Sequence, residues 1–167
     1  MSSRIYQYFV EGECEEKFLN TFKIPPYSYY LSGKVSVFNF INKKISNQRL
    51  LALNPKTIII LVYDIDTNNT DILEENIKKL NDFGFETYHI QSINNFEAEL
   101  VYSSKIKNIN ELFKTTSKEE FKNKFIHHSN IPSKLEEIRF DHSKMWSRKN
   151  NNAPFNKYVK EFSITKK

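Results

Sequence analysis

The chain has 167 residues, 39% of them hydrophobic and 14% aromatic, which suits one domain with a core of ordinary size. A single cysteine, Cys14, excludes an intrachain disulfide and any multi-cysteine zinc site, and the longest apolar run, residues 58–63, is too short to span a bilayer. The net charge of +5 is unevenly spread: residues 1–102 carry 10 Lys and Arg against 13 Asp and Glu, whereas residues 103–167 carry 15 against 7.

Met1-Ser2-Ser3-Arg4 lacks a signal-peptide core, so a cytoplasmic protein without a membrane partner is expected. Residues 5–10 are β-branched and aromatic and read as a strand, ending at Glu11-Gly12. Gly12 is expected to let the backbone turn sharply. Residues 13–22 follow as a helix, with Phe18, Leu19 and Phe22 on one face and acids in the first turn. Alternation at residues 35–40 predicts a second strand, and Leu50, Leu51 and Leu53 a helix over residues 45–53. Residues 57–63 are almost wholly apolar, as in a strand buried on both faces of a parallel sheet. Asn69 or Thr70 caps the next helix, which Gly84 terminates, and residues 85–91 form a fourth strand. A short helix over residues 95–102 completes a β-α-β-α-β-α-β-α order, which predicts a three-layer α/β sandwich over residues 1–102. Residues 103–167 read as a basic, mainly helical extension packed on it, with helices at residues 119–127 and 133–140 and a last turn at residues 158–162.

Acids cluster where two of these strands end, the edge at which α/β sheets place their sites. In Val10-Glu11-Gly12-Glu13-Cys14-Glu15-Glu16, four acids fall within six residues and repel one another unless positive charge sits among them. Glu11 ends the strand without a capping role. Glu15, at the helix start, can point back to the same rim, while Glu13 and Glu16 face elsewhere. In Tyr63-Asp64-Ile65-Asp66 the two aspartates, spaced by two, are expected to share one face of an extended chain. Hard divalent cations take oxygen ligands of this kind.

The Glu11-Gly12-x-x-Glu15 strand–helix junction and the Asp64-x-Asp66 strand end resemble the two signature motifs of the Toprim domain. Small single-domain members grouped with RloB-like and OLD-type bacterial proteins are the most similar, and Asn95-Phe96-Glu97 is similar to a later segment of theirs. The resemblance covers residues 5–102. It implies a Toprim-like fold with a mostly parallel four-stranded sheet, a general acid/base role for Glu11, and Mg²⁺ or Mn²⁺ bound by Asp64 and Asp66. Where some members carry a third acid two residues further on, this chain has Asn68, so metal binding would be weaker or would lean on Glu15 or Glu97. Only one of Glu97 and Glu99 should reach the site, because residues two apart on a helix do not share a face. The implied activity is metal-dependent phosphodiester hydrolysis of DNA or RNA in bacterial anti-phage defence, beside an ATPase partner. The alternative is a non-catalytic Toprim-like module that binds nucleic acid or a partner protein. In the basic extension, Lys144, Arg148 and Lys149 are candidates for the phosphate backbone. His142 and Trp146 stand among them, to stack on bases or to pack into a core.

Overall fold

The computed structural model describes residues 4–166. Four parallel strands, β1 (Ile5–Val10), β2 (Lys34–Val37), β3 (Thr57–Asp64) and β4 (Glu86–Ser92), form one sheet in the order β2-β1-β3-β4. Parallel neighbours need long crossovers. Helices α1 (Glu13–Phe22), α2 (Asn47–Leu51) and α3 (Asp71–Asp82) supply them, and α4 (Phe96–Tyr102) follows β4. Beyond it come α5 (Lys118–His127), α6 (Ile131–Glu137) and two short 3-10 turns, Ile109–Glu111 and Phe155–Tyr158. Among the described residues, no helix is long and apolar enough to cross a membrane.

The strand period of two divides the core into the faces of a three-layer sandwich. Tyr8, Val10, Ile60 and Val62 point to the side covered by Phe18 and Leu19 of α1, Leu100 of α4, and Phe121, Phe125 and Leu135 of α5 and α6. Phe9, Ile59, Leu61 and Tyr63 point to the other side, covered by Leu50 of α2 and by Leu73 and Leu80 of α3. The segment after Tyr102 thus completes the first core. Phe121 and Phe125 are fully buried there, and each contributes about 1.5–3 kcal/mol by leaving water. This burial seats α5 against α1.

Several element ends differ from the sequence expectation for identifiable reasons. The second strand stops at Val37, not at residue 40, because Asn39 folds the chain into a turn. Its Oδ1 accepts the backbone N–H of Ile41 and Asn42. The second helix begins only after Ser46, whose hydroxyl caps Arg49 N–H, and the preceding loop is tied down by Asn76 of α3. That buried amide donates to the carbonyls of Phe40 and Lys43 and accepts Ile45 N–H. Helix α6 starts at Ile131, capped by Asn130, because Pro132 is tolerated in a first turn. The expected turn at residues 158–162 instead falls at Phe155–Tyr158. The chain then runs along β4, where Phe162 stacks on Tyr88 at 3.8 Å. Gly84 does end α3 in the left-handed conformation, with φ +79°. Gly12 has an extended backbone, so the expected sharp turn is not its role. A Cβ there would stand 3.1 Å from Glu15 Oε2, and glycine makes room for that carboxylate.

Candidate functional site

The C-terminal ends of the central strands β1 and β3 lie side by side, since Val10 pairs in register with Val62. The residue after β1 therefore meets the last residue of β3. Glu11 Oε2 accepts the backbone N–H of Asp64 at 2.9 Å, and its Oε1 accepts from Asn39 Nδ2 at 3.1 Å. One carboxylate is thus held in a defined pose by the end of β3 and the turn at Asn39. Asp64 has the same parity as Ile60 and Val62, so its side chain turns to the face of the sheet that α1 covers.

A cleft of about 300 Å³ opens on that face. Glu11, Glu15, Asp64, Glu97 and Lys122 line it, with Asn39 at its wall. Glu15 and Glu97 are each only 5% exposed. Glu15 comes from the first turn of α1, and Glu97 from the first turn of α4, which Asn95 caps through Ala98 N–H. Both helix N-termini favour negative charge, yet four carboxyls in one small space still repel. Burial first, then the charges of Glu11 and Glu97, push the Glu15 carboxyl up to about 7. Burial, reinforced by Glu15, Glu11 and Glu97, pushes Asp64 up to about 8. Glu11 is raised as well, chiefly by burial, against the opposing pull of the Asp64 N–H bond. The Oδ1 of Asp64 is buried without a hydrogen-bond partner. An orphaned carboxylate oxygen among acids held partly protonated is a site short of positive charge.

That donor set fits a hard divalent cation, which takes carboxylate oxygens and water. Among the described residues, no three His, Cys, Asp or Glu side chains already stand spaced as ligands of one ion. A cation bound there would require the carboxylates to draw closer together than they stand.

The expected residues divide as follows. Glu11, Glu15, Asp64 and Glu97 converge on the cleft. Asp66 lies two residues past the last residue of β3. It is exposed and outside the cleft lining, although its charge is felt at Glu11. Glu99 is fully buried and turned away, paired with Arg148 Nη2 at 2.8 Å. Arg148 Nη2 also bonds the Ile93 carbonyl and the guanidinium lies over the Tyr102 ring, while Arg148 Nε and Glu99 Oε2 are buried without partners. Lys144 and Lys149 are exposed, and Lys149 lines a different cleft, beside β4 and the C-terminal segment. His142 stacks on Tyr29 at 4.0 Å, and Trp146 packs on Phe18 while donating to Ser92 Oγ; both are packing residues.

Sequence reasoning missed three members of the neighbourhood. The alternation at residues 35–40 places Asn39 in a strand, and nothing in the sequence singles out Lys118 and Lys122 within the basic extension. The two lysines reach Glu97 at 3.2 and 3.5 Å. Their spacing of four on one helix was the available signal. Partial burial lowers the Lys122 ammonium, but Glu97 and Glu15 help to hold it above the ordinary lysine value.

Comparison with protein-family models, curated proteins and solved structures returned no match to this chain.

Proposed function

We propose that this chain is a Toprim-like, metal-dependent phosphodiesterase acting on DNA or RNA. The observation that carries the reading is the convergence of Glu11, Glu15, Asp64 and Glu97 on one cleft at the C-terminal edge of a parallel sheet, with Asp64 Oδ1 unpartnered. The Glu11-Gly12-x-x-Glu15 and Asp64-x-Asp66 motifs support the Toprim assignment, and with it a role in bacterial defence beside an ATPase partner. Asp64, Glu15 and Glu97 are the residues that would hold Mg²⁺ or Mn²⁺. When bound, such a cation polarises a phosphate oxygen and lowers the pKa of water.

Glu11 is the residue placed to move a proton. The Asp64 N–H and Asn39 fix its carboxylate at the strand end. Its raised pKa brings proton exchange closer to neutral pH, where a general base is most effective. Replacing it by Gln keeps the shape and one acceptor but removes the basic oxygen.

The test is cleavage of labelled single-stranded DNA, single-stranded RNA and plasmid in Mg²⁺, Mn²⁺ or EDTA. Wild type should cut only with metal. Glu11→Gln should be slower by about 10²–10⁴, the usual range for a lost general base, with folding checked by thermal melts because its amide sets an N–H against the Asp64 N–H or Asn39 Nδ2. Wild type and Asp64→Asn that both bind nucleic acid without cutting would overturn hydrolysis in favour of a non-catalytic binding module.

A further inference from the structure

The basic half of the chain was expected to meet a phosphate backbone through Lys144, Arg148 and Lys149. The structure directs attention to another place. Arg148 is consumed by Glu99, and the cleft that Lys149 lines shares no residue with the acidic one. Helix α5 instead presents Lys118 and Lys122 on one face, half-exposed, with both ammonium groups on the nearly buried Glu97 carboxylate. Two cations thus face one anion at the lip of the acidic cleft.

Glu97 is also shared with a second, open cleft of about 410 Å³. Lys118 and the exposed Lys107 line that cleft together with Asn108 and Asn110, side chains that donate hydrogen bonds. The two clefts therefore both border the lysine-capped Glu97. An amide- and lysine-lined shelf thus lies next to the candidate reaction centre.

We propose that Lys118 and Lys122 of α5, with Lys107 on the adjoining shelf, bind the phosphodiester backbone of a single nucleic-acid strand and lead it to the acidic cleft, with Glu97 holding both ammonium groups until phosphate replaces it. This deepens the hydrolase reading and rests on it for the identity of the ligand. The chemistry is a polyanion of regularly spaced phosphates, common to DNA and RNA. Each ammonium that meets a phosphate releases condensed counterions, so binding acquires a salt dependence proportional to the number of contacts.

The experiment measures fluorescence anisotropy of labelled single-stranded DNA and RNA oligonucleotides across a range of salt. Ca²⁺ is present as the cation, and intact protein is used. Wild type, Lys118→Gln with Lys122→Gln, and Lys144→Gln with Lys149→Gln are compared after thermal melts confirm folding. The α5 pair should lower the slope of log K against log salt by about 1.4, from about 0.7 for each lost single-strand contact. The other pair should leave the slope unchanged. Relative strength of the DNA and RNA arms assigns the strand type.

Glu97→Gln supplies a second readout, measured in EDTA. It frees both ammonium groups and removes a like charge from the path, so binding should tighten several-fold. An α5 pair indistinguishable from wild type, no oligonucleotide binding by wild type, or an unchanged or weaker Glu97→Gln complex in EDTA overturns the proposal. Failure of the hydrolase reading looks different: α5-dependent binding persists while Mg²⁺ yields no cleavage.

Discussion

Asp64→Asn is a change that removes a charge from a catalytic candidate and yet should make the metal-free protein more stable. The Asp64 carboxyl, ordinarily near 3.8, stands at about 8 in the folded chain because it is buried among Glu15, Glu11 and Glu97. Above pH 3.8 the unfolded chain releases this proton, whereas the folded chain keeps it until about pH 8. The folded state then binds more protons, so stability falls as pH rises through that window. At about 1.4 kcal/mol per pH unit, the ceiling on the penalty at pH 7 is ~4 kcal/mol. Partial exposure and the shared repulsion with Glu15 reduce it to about 2 kcal/mol, or about 4–8 °C in melting temperature for a chain of this size. Thermal melts of wild type and Asp64→Asn in EDTA should coincide near pH 4 and separate towards pH 8, with Asp64→Asn melting higher. Saturating Mg²⁺ should raise the wild-type melt at pH 8 and leave Asp64→Asn nearly unmoved. An Asp64→Asn protein that melts below wild type at pH 8 in EDTA would mean that the carboxylate is ionised and satisfied in the fold. The cleft would then have no unmet demand for positive charge.

Arg148→Met should destabilise the protein by about 3–5 kcal/mol in urea titrations, because Glu99 is fully buried and would lose its counter-charge. A variant that folds like wild type but loses nucleic-acid affinity would instead return Arg148 to the phosphate surface. Gly33→Ala should cost about 1–3 kcal/mol or more by chemical denaturation, since its Cβ would lie 2.6 Å from the Tyr6 carbonyl oxygen. Gly12→Ala meets only the flexible end of Glu15 and should change stability little. It should weaken Mg²⁺ binding in calorimetric titrations by displacing that carboxylate.

Much of the frame was legible because its signals are local. An unbroken apolar run at residues 57–63 makes sense only in a strand with helices on both faces, and β3 is that strand. Glu11 could be singled out because a strand-end acid before glycine has no capping duty, and Asp64 because it closes a buried strand two residues before a second aspartate. Their meeting across 53 positions follows once β1 and β3 are parallel neighbours in register. Local reasoning failed where a periodic pattern ran past the end of its element. The alternation at residues 35–40 continues in sequence, but β2 ends at Val37, where Asn39 turns the chain.

The sequence by itself determined the α/β order, the two acidic strand ends and the division of charge between the halves, since each depends on residue type and short spacing. Tertiary structure alone decided the partners. It set Arg148 against Glu99 and brought two lysines of α5 to Glu97. It also gave Asn39 to Glu11 and left Asp64 Oδ1 without a donor. Those outcomes depend on how buried faces pack together. Once water is excluded, a charge must pair with whichever group the packing brings within reach, and nothing in the linear spacing of residues specifies which group that is.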